Sequence, residues 1–364
     1  MNVTTGSSVF ASLLCPLIAI SQITETKLTR SDGSVGDAFG RSVSISGDYV
    51  IIGAYSDDDI GNSSGAAYIF RRMGAIWMQT KLVASDGADY DFFGASVSVS
   101  GDFAIIGAPR DDENGNSSGS AYVFRREDTS WVEEAKITPS DGVSFDYFGT
   151  AVSISGDLAV VGAPGYELFT NPPGAAYVFR REGTDWVEEA KLLADDGADN
   201  DYFGFSVFVS GDYAIIGAHG NDDNGAKSGS AYIFKREGLD WIEEAKLIAS
   251  DGQRGDFFGH SVSLSGDYAI IGAPYDDDDG IDAGSGYVFK WDGSEWIENV
   301  KLNQINEAAR DWFGYSVSIS GDYAVVGSVR DDDNGSSSGS AYIYKLDGIT
   351  WIEHATHCPR RSTP

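Results

Sequence analysis

The distribution of apolar residues along the chain predicts paired β-strands. From Phe93 the apolar residues Ala95, Val97 and Val99 alternate with serines, which indicates a strand with one buried face. A Gly-Asp pair then provides a two-residue turn of the kind that closes a hairpin. The continuous apolar run at 103–108 follows, and it predicts a second strand that is covered on both faces.

Two further strands complete the pattern. Pro109 ends the second strand because it has no N–H for another ladder bond, and the polar loop 110–119 leads into a β-rich segment at 120–126. After a short turn, Trp131 opens a fourth strand at 131–137. The unit is therefore predicted to be a four-stranded antiparallel meander.

This unit recurs six times with a period of about 55 residues, which is the signature of a repeat architecture. The Phe residues of the Phe-Gly pairs that open it are Phe39, Phe93, Phe148, Phe203, Phe258 and Phe313. The Trp residues that open the fourth strand are Trp77, Trp131, Trp186, Trp241, Trp296 and Trp351. Neighbouring sheets can bury each other's faces, so we expect an all-β protein, a β-propeller of four-stranded antiparallel blades. An open solenoid would leave its two end sheets uncovered.

The two ends of the array leave the blade count open. Residues 23–28 match the end of a fourth strand such as 132–137, and a further fourth strand starts at Trp351. Two candidate strands therefore compete for one position. The ring is predicted to be six-bladed, or seven-bladed with a partial blade.

Composition narrows the possible partners. The 364 residues carry a formal net charge of -31, which argues against nucleic acid or an anionic membrane surface as a partner. The two cysteines, Cys15 and Cys358, define no disulfide framework, and the sequence leaves their pairing open. No segment after the N-terminal region has the roughly 18 consecutive apolar residues of a transmembrane helix.

The N-terminal region contains an apolar run at 9–20, followed by small residues that suit cleavage before Gln22. We expect residues 1–21 to be a signal peptide, 22–356 the propeller and 357–364 a C-terminal tail. The alternative is that the apolar run is a buried strand of an incomplete blade. In an exported eukaryotic protein, the sequons that begin at Asn62, Asn116 and Asn334 would be glycosylation sites.

The stretch 93–109 opens with Phe-Gly and closes with Gly-Ala-Pro, and it resembles the FG-GAP repeats of the integrin α-subunit propeller. The copies at 148–164 and 258–274 match equally well. The resemblance implies a propeller, often seven-bladed, that serves in extracellular adhesion or ligand binding. The calcium loops of that family lie between Phe-Gly and Gly-Ala-Pro, where this chain has only a short turn, so their ligands cannot be transferred.

Acidic residues concentrate in the loops between the second and third strands, which share one face of a propeller with the loops that join successive blades. Hard divalent cations prefer such carboxylate ligands, so calcium is a possible cofactor. The alternative is that these residues form Asx and Gly turns on a solvated rim. The candidate ligands are Asp57, Asp59, Asp111, Glu113, Asp276, Asp278, Asp331 and Asp333.

Residues that vary among otherwise similar repeats are the candidates for specificity. On the acidic face these are Arg110, His219, Tyr275 and Arg330. We expect a secreted or cell-surface, non-enzymatic binding or adhesion module that recognises a protein ligand through this face. A carbohydrate-binding propeller is the alternative. The four histidines lie in no metalloprotease motif, and no nucleophile elbow or phosphate loop is found, so an enzyme is not expected.

Overall fold

The computed structural model describes residues 26–165, 172–304, 309–332 and 335–354. The first three sheets contain β1 (Val43–Ser46), β2 (Tyr49–Ala54), β3 (Ala66–Met73), β4 (Ile76–Leu82), β5 (Ser96–Ser100), β6 (Phe103–Ala108), β7 (Ser120–Glu127), β8 (Ser130–Ile137), β9 (Ala151–Ser155), β10 (Leu158–Ala163), β11 (Ala175–Glu182) and β12 (Asp185–Leu192). The other three contain β13 (Ser206–Ser210), β14 (Tyr213–Ala218), β15 (Ser230–Glu237), β16 (Asp240–Leu247), β17 (Ser261–Ser265), β18 (Tyr268–Ala273), β19 (Ser285–Trp291), β20 (Trp296–Leu302), β21 (Phe313–Ser320), β22 (Tyr323–Ser328), β23 (Ser340–Asp347) and β24 (Thr350–Glu353).

The sheets are the blades of a β-propeller, numbered 1 to 6 in chain order. Each blade is an antiparallel meander whose four strands lie in sequence order, so the predicted fold is confirmed. No seventh sheet is present among the described residues, and none of these residues forms a helix long and apolar enough to cross a membrane. The predicted signal peptide, the C-terminal tail and both cysteines lie outside the described residues.

One detail of the predicted first strand is wrong. Ala95 was expected inside the strand, but β5 starts at Ser96. Gly94, with φ of +92°, turns the chain just before it, and Phe93 forms a parallel bridge to Gly65 of the preceding blade instead. The turn places the fully buried Phe93 side chain between two blades.

The core lies between neighbouring sheets rather than within one sheet. Val97 and Val99 of β5 pack with Ile51 of β2 and Ile69 of β3, and all four side chains are buried. Burial of one such side chain stabilises the fold by about 1.5–3 kcal/mol. Each blade therefore depends on its neighbours for stability, as the repeat pattern predicts.

The glycines of the repeat allow two backbones to meet. The backbone N–H of Gly94 donates to the carbonyl of Gly107 at 3.0 Å within one blade. A Cβ on Gly107 would lie 2.0 Å from the carbonyl oxygen of Gly149 in the next blade. That same oxygen accepts a hydrogen bond from Ser96 Oγ at 2.8 Å. Only glycine at 107 leaves room for this contact.

We expect Gly107→Ala to destabilise the protein by about 3 kcal/mol, because the added methyl would push two blade backbones apart. Gly101→Ala is the control, since its Cβ meets nothing within 4 Å although φ is +58°, and it should cost about 1 kcal/mol. Urea denaturation of the three proteins measures both values. Equal losses for the two variants would show that the contact between blades does not limit stability.

Candidate ligand-binding face

The acidic loops are anchored by buried aspartates. Asp57, Asp111, Asp276 and Asp331 are each at most 4% exposed. Each accepts a hydrogen bond from the hydroxyl of a tyrosine on the third strand of its blade, at 2.5–2.9 Å. Four of the predicted metal ligands therefore hold their loops against the sheets. Asp333 lies outside the described residues.

A lysine from the fourth strand joins these carboxylates in blades 1, 2 and 5. Lys136 Nζ lies 3.0 Å from Asp111, 2.6 Å from Glu113 and 2.7 Å from Asp86. Burial lowers the pKa of Lys136, but the hydrogen bonds that its ammonium group donates to Asp86, Glu113 and Asp111 outweigh this effect, so the pKa lies above its usual value. Lys81 contacts Asp57 and Asp59 in the same way.

Among the residues that the structure describes, one acidic group brings three carboxylates close enough together to hold a metal ion. Oxygen atoms of Asp251, Asp276 and Asp278 lie within 4.8 Å of one another. Lys301 Nζ lies among them, at 2.9 Å, 2.9 Å and 2.7 Å respectively. A cation would have to displace this ammonium group, so the site fits a metal ion only when Lys301 moves away.

Sequence reasoning found Asp276 and Asp278 but missed Asp251 and Lys301. Asp251 lies in the loop that enters the blade's first strand, and Lys301 lies on its fourth strand. Both residues could have been found from the sequence, because an Asp-Gly turn and a lysine near the end of the fourth strand recur in successive repeats.

Aromatic side chains form a second feature of this face. The residue before each repeat Phe is aromatic in blades 2 to 6 and has positive φ, between 55° and 61°, in all five: Phe92, Tyr147, Tyr202, Phe257 and Trp312. Positive φ is unfavourable for bulky residues, so the surrounding backbone fixes where these rings point.

In blades 4 to 6 the rings are continuous. We name this set the aromatic arc, which contains Tyr202, His219, Phe257, Tyr275 and Trp312. Successive ring centroids lie 5.3, 5.4, 5.0 and 5.0 Å apart. Arg330 Cζ closes the arc, 3.6 Å from the centre of the Trp312 ring.

A second row of rings lies beside the arc. Phe205, His260 and Tyr315 follow one another with centroids 5.1 Å and 4.6 Å apart. The guanidinium of Arg41 lies over Tyr315 and donates to its hydroxyl at 3.1 Å. The rows meet at His219, whose ring centroid is 4.1 Å from that of Phe205.

The structure brings three of the four predicted ligand-binding residues together. Two of them, His219 and Tyr275, belong to the aromatic arc, and the third, Arg330, lies over the Trp312 ring at its end. The fourth, Arg110, lies in blade 2, where its Cζ is 4.6 Å from the centre of the Phe92 ring. Prediction missed Tyr202, Phe257 and Trp312. An aromatic residue just before the repeat Phe of blades 2 to 6 was visible in the sequence, but its left-handed backbone was not.

The opposite face carries basic residues that are paired with glutamates. Glu134 of blade 2 accepts hydrogen bonds from its own Arg125 at 2.5 Å and from Arg181 of blade 3 at 2.7 Å. Trp186 Nε1 donates to the same carboxylate at 3.3 Å. Arg181 and Trp186 thus link blade 3 to blade 2 through Glu134, which leaves the acidic face as the stronger candidate for ligand binding.

The histidines of the aromatic rows are uncharged at neutral pH. Burial lowers the pKa of His219 to about 3 and that of His260 to about 4. His219 is 7% exposed. Protonation would place positive charge among rings that exclude water.

We expect stability to fall as the pH drops below 6.5, the ordinary pKa of histidine, because the unfolded chain then binds a proton that the buried His219 does not. The loss is about 1.4 kcal/mol per pH unit for His219. His219→Tyr, which copies Tyr55 at the equivalent position of blade 1, should flatten this dependence. Chemical denaturation at pH values of about 7 and 5 measures it. Identical pH profiles for the two proteins would contradict burial of a neutral His219.

Comparison with known proteins identifies the repeat. The FG-GAP repeat family matches residues 23–70, 77–124, 131–179, 186–234, 241–289 and 296–344. Each match except the first begins at the Trp of a fourth strand and runs into the third strand of the next blade. A search of curated proteins finds no relative of the chain.

Proposed function

Because the chain belongs to the FG-GAP repeat family, we propose that it is a non-enzymatic binding module whose acidic loop face recognises a protein ligand. A binding role in general follows from the propeller fold of this family. The observation that supports the choice of face is the aromatic arc, where half-buried rings adjoin loops rich in carboxylates.

The chemistry of the arc suits a protein partner. Rigid aromatic rings supply large contact areas at low entropic cost, and Trp and Tyr are enriched among the residues that dominate binding energies. Carboxylates around them would attract a partner with basic residues, in keeping with the net charge of -31. We propose that Tyr275 and Trp312 provide the central contact and that Arg330, which lies over the Trp312 ring, contributes polar contacts at its edge.

Trp312→Ala should weaken binding of peptides selected on the wild-type protein by about tenfold or more, because it removes a large ring from the centre of the arc. The peptides come from a displayed random library, and titration calorimetry gives the dissociation constants. Leu239→Ala is the control, since Leu239 is 65% exposed in a turn on the opposite face. If the peptides bind Trp312→Ala as tightly as they bind wild type, the peptide-binding site lies outside the aromatic arc.

A carbohydrate ligand is the second candidate, because the exposed parts of the Tyr275 and Tyr315 rings could stack on sugar rings. A glycan array probed with wild type and Trp312→Ala distinguishes the two candidates. Glycan binding that is lost in Trp312→Ala would favour the carbohydrate. An array without signal, together with peptide binding, would favour the protein ligand.

An extracellular location stays a prediction, whereas the lysines of the acidic loops bear on the predicted calcium dependence. A calcium ion would bind Asp251, Asp276 and Asp278 only in competition with the Lys301 ammonium. The described carboxylates of blade 2 meet Lys136 in the same way. We propose that lysine provides the charge balance of these loops and that ligand binding does not require added calcium.

Lys301→Met should destabilise the protein by about 2–3 kcal/mol, because it leaves the buried Asp276 beside two uncompensated carboxylates. Calcium chloride should then restore part of the thermal midpoint in Lys301→Met and leave wild type unchanged. Matched magnesium chloride controls for ionic strength. A rise of the wild-type midpoint with calcium would mean that the ion displaces the lysine.

A further inference from the structure

The outer strand of blade 1 differs from the outer strands of the next four blades. In β8, β12, β16 and β20 one extra residue shifts the register with the third strand and forms a β-bulge. In contrast, β4 pairs with β3 without interruption, from Ala67 opposite Leu82 to Met73 opposite Ile76. Bulges twist an edge strand away from pairing with another chain. The edge of β4 is therefore regular where its counterparts are irregular.

This regular edge presents backbone groups in the order that an added strand requires. Arg72 N–H donates to the Asp48 carbonyl at 2.8 Å, so the backbone groups of Arg72 point toward β2. Trp77 lies opposite Arg72, and its own N–H and C=O therefore point away from the sheet. The orientation repeats at every second residue of a strand without a bulge, so it recurs at Gln79 and Lys81.

The missing bulge residue also removes a carboxylate. In blade 2 the extra residue is Glu134, which pairs with Arg125 of the third strand at 2.5 Å. In blade 3 it is Glu189, which pairs with Arg180 at 2.6 Å. Arg71 occupies the equivalent position of blade 1. It makes no ion pair within the described part of the chain, so its guanidinium lacks the carboxylate that its counterparts have.

The β3–β4 hairpin is basic although the chain has a net charge of -31. It contains Arg71, Arg72 and Lys81 and no acidic residue, whereas at least three acidic residues occur in each of the hairpins 120–137, 175–192, 230–247 and 285–302. Arg72 and Lys81 pair with aspartates at 2.7 Å and 3.0 Å, which leaves Arg71 to a partner. Electrostatic complementarity favours an acidic partner, whereas a second copy of the same hairpin would oppose like charges.

Apolar side chains are exposed along the same edge. Met73, Ile76 and Met78 are 46%, 61% and 55% exposed. The positions of Met73 and Ile76 carry Glu127 and Ser130 in blade 2. Burial of apolar surface stabilises a complex, so blade 1 offers an added strand apolar contacts that blade 2 does not.

We propose that β4 is a second interaction surface, to which an acidic segment of a partner protein adds in extended conformation as a fifth strand of blade 1. Ladder bonds to the backbone of Trp77, Gln79 and Lys81 hold the segment. A carboxylate of the segment pairs with Arg71, in place of the glutamate of a bulge, and its apolar side chains cover Met78. The surface lies at the outer edge of the blade, apart from the aromatic arc, so it does not depend on the function proposed for the acidic face.

Two labelled peptides of seven residues, the length of β4, test the choice of partner. One alternates valine with glutamate and the other alternates valine with lysine. Fluorescence anisotropy with the full chain gives the dissociation constants. We expect the glutamate peptide to bind at least about tenfold more tightly, although the net charge of the protein favours the lysine peptide.

Gln79→Pro tests the added strand. Proline at 79 removes an N–H that points outward and no bond between β3 and β4. Gln79→Ala is the matched control, because it keeps this N–H and loses only the side-chain bonds to Ser31 at 3.1 Å and 3.2 Å. We expect Gln79→Ala to bind the glutamate peptide within about twofold of wild type and Gln79→Pro at least about tenfold more weakly.

Arg71→Glu tests the charge and decides the matter if Gln79→Pro does not fold. Lys345→Glu is its control, since Lys345 occupies the equivalent position of blade 6 and the net charge changes equally. We expect about a tenfold loss of affinity for the glutamate peptide in Arg71→Glu and less than about twofold in Lys345→Glu.

Three results would overturn the proposal. Equal affinities for the two peptides, or no binding of either, would show that the edge does not select an acidic strand. Equal binding by Gln79→Pro and Gln79→Ala would show that no strand adds to β4. Sedimentation of the wild-type protein as a dimer that dissociates in Gln79→Pro would show that a second copy occupies the edge.

Discussion

The propeller depends on the close approach of two backbones between neighbouring blades. Gly107 lies against the carbonyl of Gly149 with no room for a Cβ, and the Ser96 hydroxyl bonds to the same carbonyl. The contact recurs at Gly162 against Gly204, Gly217 against Gly259 and Gly272 against Gly314. It sets the spacing at which the apolar faces of successive sheets interdigitate. The Phe-Gly and Gly-Ala-Pro motifs are therefore structural, and the candidate ligand-binding residues lie beside them.

Electrostatics on the acidic face follows from the same repetition. A chain with a net charge of -31 must separate or compensate its carboxylates. Here a lysine of the fourth strand reaches carboxylates from two successive loops, as Lys136 does with Asp86 and Asp111. The charge of these loops is thus balanced by a lysine of the protein itself. The tyrosine hydroxyls hold the same loops against the sheet. A ligand would meet a surface that is acidic overall but locally compensated.

The strands were predictable because the hydrophobic pattern and the repeat period indicate the same elements. For example, β6 has the predicted bounds, 103–108. The candidate site was only partly predictable. His219, Tyr275 and Arg330 could be picked out as residues that vary among repeats. The role of Lys301 could not be predicted, because it depends on strand register and on two loops whose aspartates lie 23 and 50 residues away in sequence. Nor does the sequence show that Trp312 adopts positive φ, since bulky residues rarely do.

The left-handed residue before each repeat Phe also bears on how such a surface can change. The turn that holds Trp312 is built by backbone bonds, including that from Trp312 N–H to the Asp282 carbonyl at 3.3 Å. The same position carries Phe92, Tyr147, Tyr202 and Phe257 in other blades with nearly the same φ. A substitution there alters the chemistry offered to a partner while the glycine contacts beneath stay intact. Duplication of the repeat thus supplies six nearly equivalent positions that can diverge one at a time, so that new specificity can arise without a new fold.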